Sequence, residues 1–352
     1  MSAKFGVWRC CLGAAAILSL SLLWGLVSPG AQEARFFRIG AAATSGTFFE
    51  IGGVIASAIS KPFGAPPCDH GGNCGVPGLV AVTQATQGSV ENLRMVGNGQ
   101  IESGIAQSDI ASWAYDGKGI FADEGPIKNL RAIANLFPER LQIVVRNDSS
   151  IRTLADLKGR HVSLGQPGSG TLADARIVLA AAGLTEKDLV AEYLRPGAAA
   201  ADIKDGKLDA FFLIGGIPVP AIRDLATAAS LRLIPIDDDI LARMKESSSS
   251  YRRSTINAGA YPRINVETPT IGFNAVWIVS VDCSEELIYA ITKALWSEAT
   301  QRLLDAHNTI GRQVRFGEAL DGLGVPLHPG AKRFYREVGL PVDEDGVLGK
   351  RE

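Results

Sequence analysis

At 352 residues the chain is too long for a disulfide knot or a peptide-sized module, and its length points to two packed lobes rather than one core. Hydrophobic residues at 46% and charged residues at 20% exclude a disordered polymer and a multi-span membrane protein. Lys plus Arg (35) nearly balances Asp plus Glu (37), and the formal charge of −2 removes the basic footprint of a nucleic-acid partner.

The N-terminus carries Lys4 and Arg9 and then runs uncharged from Cys10 to Gln32, with an apolar stretch from Leu12 to Val27. A basic start, an apolar segment of about 15 residues and the small residues Ser28, Gly30 and Ala31 have the layout of a secretory signal, short for a membrane span. Residues 1–31 are therefore expected to be a cleaved Sec-type signal peptide that sends the folded part to the periplasm. An uncleaved anchor in the inner membrane is the alternative.

From Phe36 onward, short apolar runs alternate with stretches of helical period, the mark of parallel α/β architecture. Phe37–Ala42 reads as a strand, followed by Thr44-Ser45-Gly46-Thr47 and a helix through Ile51, Val54, Ile55 and Ile59. Next comes Cys68-Asp-His-Gly-Gly-Asn-Cys74, and in an oxidising compartment two thiols across so short a flexible loop are expected to form a disulfide. The competing metal site, both thiols with His70, lacks a fourth ligand. Glu102–Ala106 reads as a strand, then Gln107-Ser108-Asp109, then a helix through Ile110 and Trp113. Trp113 and Tyr115 read as packing residues.

Leu130–Asn147 is extended and apolar and looks like a crossing strand. Arg160–Leu164 reads as a strand; Gln166-Pro-Gly168-Ser169-Gly170-Thr171 follows, then a helix with Leu172, Ala175 and Leu179 on one side, ending at Gly183. Leu189–Leu194 reads as a strand that places Arg195 at its cleft-facing end, where a guanidinium could clamp a carboxylate. Leu208–Ile214 reads as a strand, then Gly215-Gly-Ile-Pro218, then a helix through Ile222 and Leu225. The Ser247–Ser250 run with Tyr251-Arg-Arg reads as a polar surface loop. Thr270–Val281 reads as a second crossing strand, and the helix after it starts at Ser284, leaving Cys283 a small apolar role. The last ten residues read as loose.

Four of these units share one grammar: a parallel strand ends, a loop of small residues follows, and a helix begins with free N–H groups and its positive dipole end exposed. Gly permits close approach, and Ser or Thr either caps the helix or binds a ligand oxygen. Two such loops before residue 140 and two after it, joined by two extended connections, describe a hinged ligand trap for an anion. The four His residues lie far apart, and there is no HExxH, paired CxxC or GxxxxGK[ST]. No metal, no cofactor and no catalytic residue is expected. Ser169 sits outside a Gly-x-Ser-x-Gly elbow, so an enzyme on this fold is the weaker reading.

Val76-Pro-Gly-Leu79, Thr83, Gly88-Ser-Val-Glu-Asn-Leu93, Gly104-Ile-Ala-Gln-Ser-Asp109, Thr153-Leu-Ala-Asp-Leu-Lys-Gly159, Gly165-Gln-Pro-Gly-Ser-Gly-Thr171, Lys204-Asp-Gly-Lys-Leu-Asp-Ala-Phe-Phe212 and Tyr289-Ala-Ile-Thr-Lys-Ala-Leu295 resemble, in order, the TAXI family. These are the solute-binding receptors of tripartite ATP-independent periplasmic (TRAP) transporters. The resemblance implies a two-lobed α/β periplasmic binding protein-like (type II) fold, each lobe a mainly parallel sheet flanked by helices and hinged by two crossing strands. It places lobe I at 35–137, lobe II at 138–268 and the return to lobe I at 269–352. It implies a monomeric receptor that hands a small organic anion or amino acid, such as glutamate or 2-oxoglutarate, to integral-membrane TRAP permease subunits. Carried over to this chain, Thr44, Ser45, Gly46, Thr47, Gln107, Ser108, Gly168, Ser169, Gly170 and Thr171 would line the cleft, with Phe48 as a wall. Where many members have two tyrosines and a proline, this chain has Phe48-Phe49-Glu50, so two hydroxyl donors are gone. A receptor for an ABC importer or a periplasmic sensor is the rival use of the same fold.

Overall fold

The computed structural model describes residues 34–68, 74–247 and 251–342. The expected signal peptide, His70 and its neighbours in the Cys68–Cys74 loop, most of the Ser247–Ser250 run and the last ten residues lie outside the described residues. Tyr251-Arg-Arg, expected in the same polar loop, is not loop: Tyr251 is buried, with its hydroxyl on Asp174, and Arg252 and Arg253 begin a strand. In the first third, β1 (Arg35–Gly40), α1 (Thr47–Ile59), β2 (Ser60–Lys61), β3 (Val76–Pro77), β4 (Leu79–Gln84), α2 (Ser89–Gly97), β5 (Ser103–Gln107) and α3 (Ser108–Asp116) follow one another. The long β6 (Leu130–Arg146) leads to β7 (His161–Ser163), α4 (Gly170–Ala181), β8 (Val190–Glu192), α5 (Pro196–Lys204), β9 (Ala210–Gly215), α6 (Pro220–Ala228), β10 (Leu231–Leu233), α7 (Asp238–Ser247) and β11 (Arg252–Ile256). A second long strand, β12 (Thr268–Ser280), returns the chain to α8 (Glu285–Leu295), α9 (Glu298–His307) and α10 (Pro329–Glu337).

The main sheet runs β4-β1-β5-β12-β6-β9-β7-β8, with β10 on β6 and β11 on β12. β6 pairs with β12 over Leu130–Arg140 and with β9 over Arg140–Val145. β12 pairs with β11 over Thr268–Gly272 and with β5 over Ala275–Val279. Each long strand therefore serves both ends of the sheet, and the chain crosses between the two halves twice. Strand pairs that avoid β6 and β12 are all parallel among the described residues, and every antiparallel strand pair includes one of the two. The protein is a two-lobed α/β fold, each lobe a mainly parallel sheet flanked by helices and joined by two crossing strands.

The sequence dictates this locally. Ala210-Phe-Phe-Leu-Ile-Gly215 has no polar alternation, and all six residues of β9 are buried, as in a strand covered on both faces. Trp277 of β12 is fully buried, packs edge-to-face on Phe37 at 6.3 Å, and donates its indole N–H to Ser103 Oγ at 3.1 Å. Asn92 of α2 donates to the carbonyls of Ala41 (2.6 Å) and Ile105 (2.8 Å), tying the ends of β1 and β5 together just where their loops begin. Cys68 and Cys74 are joined as a disulfide, their Cα atoms 4.8 Å apart. Cys283 is half-buried and free.

Candidate functional site

A cavity of about 50 Å³, room for a few water-sized groups, lies where the two halves of the sheet meet. The N-terminal residues of five helices line it: Gly46 and Thr47 before and in α1, Gly88 and Ser89 of α2, Gln107 before α3, Ser169 and Gly170 of α4, and Pro196 of α5. Three belong to the first half and two to the second. A helix start leaves N–H groups without intrahelical partners and carries a positive partial charge, so five of them make the cavity electropositive without a cationic side chain. α1, α2, α3 and α5 have no side-chain cap. Of the helices that start elsewhere, α8, α9 and α10 are capped by Ser284, Ser297 and His328, while α6, like the four above, has no side-chain cap. Phe48, Leu194, Phe212 and Ile214 give the cavity its apolar side.

The halves touch directly around the cavity. Gln166 Nε2 donates to the Gln87 carbonyl (2.7 Å), the Glu91 amide to the Gly168 carbonyl (3.1 Å), the Gly216 amide to Thr47 Oγ1 (3.3 Å) and the Ala221 amide to the Ser45 carbonyl (3.2 Å). Glycine makes this approach possible: a Cβ on Gly170 would sit 1.9 Å from Gln107 Oε1, and one on Gly168 2.9 Å from Gln87 Cβ. Gly168 also has φ of 87°, a backbone conformation that favours glycine.

Behind the cavity wall lies a cluster of buried acids. Gln107 Nε2 donates to Asp174 Oδ2 at 2.7 Å, and Tyr251 Oη donates to Asp174 Oδ1 at 3.0 Å. Asp109 is buried beside Asp174 and Gln107. Burial, opposed only partly by hydrogen bonds, pushes the Asp109 carboxyl up to about 6. Burial and then the Asp109 charge push Asp174 well above the usual carboxylate range, and the same two causes act on Glu139. Asp174 is pushed further than Asp109, so within the pair Asp174 keeps the proton to higher pH and Asp109 ionises first.

Of the residues expected from sequence, the cavity wall contains Gly46, Thr47, Phe48, Gln107, Ser169, Gly170 and Thr171. Ser169 Oγ is occupied as the cap of α4, accepting from Leu172 N and donating to the Gln166 carbonyl, and Thr171 Oγ1 accepts from Ile214 N. Phe48 is also core, edge-to-face with Phe137 at 6.3 Å. Thr44 is exposed, and Ser45 is half-buried at the junction with α6. Ser108 accepts from Asn274 N beside a second cavity that also holds Asp109 and Glu139, and Gly168 lines a third. Arg195 is exposed one residue before α5, while its neighbour Pro196 faces the cavity. Trp113 is buried, and Tyr115 packs under Lys128 Nζ at 4.0 Å.

The loop Gly215–Pro218 does not enter the wall: Gly216 packs against Phe137 and Ile310, whose side chains leave no room for a Cβ. Its expected place is taken by the starts of α2 and α5. The α2 start follows the same grammar of strand, small-residue loop and helix, as Leu79–Gln84 then Thr86-Gln87-Gly88-Ser89. That pattern was available in the sequence. The buried acids carried no such signal, since Gln107 and Asp174 are 67 positions apart.

Residues 39–339 match the NMT1-like family. Among solved structures, the periplasmic aliphatic sulphonate binding protein SsuA from Escherichia coli is 17% identical over 78% of each chain, with a TM-score of 0.40. The alkanesulfonate-binding protein SsuA from Xanthomonas axonopodis pv. citri is 19% identical over 88% of this chain and 81% of its own, with a TM-score of 0.42. PhnD1 from Prochlorococcus marinus, solved with methylphosphonate, is 11% identical over 87% of this chain and 99% of its own, with a TM-score of 0.48.

Proposed function

The chain belongs to the NMT1-like family, a periplasmic solute-binding protein type, and on that premise we propose that it captures a small organic anion or amino acid between its lobes and delivers it to a TRAP permease. The observation that carries this reading is the convergence of five helix starts, four without a side-chain cap, on one cavity between the halves. A carboxylate there accepts from backbone N–H groups and from Thr47, with Gly46, Ser169, Gly170 and Thr171 as further contacts and Phe48 as the apolar wall. Thr44, Ser45, Ser108, Gly168 and Arg195 form the surrounding rim. We assign lobe I to 35–137 and 269–352 and lobe II to 138–268.

Hydrogen bonds to a charged group contribute roughly 1.5–3 kcal/mol each, so three or four support binding near the micromolar range after ordering costs. A ligand that touches both lobes favours the closed arrangement, because only its differential affinity for that state shifts the equilibrium. The choice of a TRAP permease rests on the ordered motifs from Val76 to Leu295. A neighbouring gene for a large multi-span permease supports that partner; a neighbouring importer ATPase contradicts it. The ligand is tested by mass spectrometry of the small molecules that co-purify with the native protein, followed by calorimetry. One organic acid or amino acid that binds near micromolar Kd is expected. No co-purifying ligand, together with no binding across an organic-acid panel, overturns the proposal.

A further inference from the structure

We propose that Asp174 is a positioning residue: from lobe II it fixes the amide of Gln107, in lobe I, with its oxygen toward the cavity, so that the site selects a ligand presenting a hydrogen-bond donor there. The inference rests on the cavity being the ligand site. Gln107 ends β5, is 3% exposed, and lines the cavity. Its Nε2 is committed to Asp174 Oδ2 at 2.7 Å. Asp174 cannot turn away, because it is fully buried, its other oxygen accepts from Tyr251, and Asp109 stands against it. In this arrangement Asp174 Oδ2 takes the NH₂ end of the amide, and the amide oxygen is left for another partner.

The amide oxygen therefore points the other way. It lies at the start of α4, where the missing Cβ of Gly170 would be 1.9 Å from it. Gly170 is itself part of the cavity wall, and among the described residues Gln107 Oε1 accepts no hydrogen bond. A buried acceptor facing a ligand space is satisfied by an N–H or O–H of the ligand, and a ligand carbonyl in the same place meets it acceptor to acceptor. Asp174 touches no ligand in this arrangement. It acts by denying Gln107 the opposite amide orientation.

Calorimetry on the full-length protein tests this with two matched pairs that differ by a donor against a carbonyl at one carbon: L-glutamate with 2-oxoglutarate, and L-lactate with pyruvate. The wild type is expected to bind the donor member of a pair at least about tenfold more tightly. Asp174→Leu, which frees the amide to turn, and Gln107→Met, which removes the acceptor, are each expected to bring that ratio within about threefold. Asp174→Asn still accepts from Gln107 and is expected to keep most of the preference. A merely structural role lowers both members of a pair together and leaves the ratio alone. If Asp174→Leu does not fold, Gln107→Met reads the same ratio. A wild-type ratio near one or reversed, or a ratio unchanged in the folded variants, overturns the inference while the receptor reading stands. Binding of no member of either pair, nor of any acid in the wider panel, overturns the receptor reading and this inference with it.

Discussion

The Ser169 hydroxyl already has two partners, the Leu172 amide and the Gln166 carbonyl, so its first effect is on the start of α4. Ser169→Ala is expected to lower stability by about 1 kcal/mol, the usual cost of a lost helix cap, and to change ligand affinity by less than about threefold. Calorimetric unfolding and binding of the same variant check both; a large affinity loss at unchanged stability contradicts it. At Asp109 the folded state holds a proton that the unfolded chain releases near 3.8, because burial pushes this carboxyl up to about 6. The stabilising proton is fully present below about pH 4 and is lost as pH rises through about 6, with Asp174 and Glu139 extending the loss to higher pH. Each such group contributes a slope of at most about 1.4 kcal/mol per pH unit within its window. Asp109→Asn, which removes this titrating group while keeping its size, is expected to flatten the fall in melting temperature between pH 4 and 6. The same slope in variant and wild type contradicts this.

Helix starts are the working elements of the cavity, and α4 shows what they require. Gly170 permits the approach of Gln107, whose Oε1 would lie 1.9 Å from an added Cβ; on the proposed receptor reading that clash arises in the closed state. Gly170→Ala is expected to leave ligand-free melting within a few degrees of wild type and to lower ligand affinity by at least about tenfold. Differential scanning fluorimetry with and without the co-purified ligand measures both, and wild-type ligand stabilisation in the variant counts against it. Much of this was legible in sequence: the loops at Thr44–Thr47, Gln107 and Ser169–Thr171 follow strands and open helices, and their boundaries fall within two residues or so of expectation. The role of Gly215–Pro218 was not legible, because the same grammar there serves packing on Phe137 and Ile310. Local pattern tells where a helix begins, and only the tertiary arrangement tells what faces it.

At the scale of the whole molecule, two long strands were readable as extended apolar runs, while their pairing was not. β6 changes partner from β12 to β9 at Arg140, and β12 changes from β11 to β5 between Gly272 and Ala275. On the proposed receptor reading, the short segments of β6 and β12 where the partners change are the hinge. The acid cluster belongs to this scale too. Asp109 and Asp174 each look like an ordinary helix acid in sequence, and become a buried pair only through the tertiary arrangement.

The central claim is that the lobes close on a small ligand held at the helix starts. Small-angle X-ray scattering tests it most directly, on protein freed of ligand by unfolding and refolding and then returned to its co-purified ligand. The account predicts a larger radius of gyration without ligand and a contraction when ligand is added. An identical scattering profile in both samples, with binding confirmed by calorimetry, would contradict it.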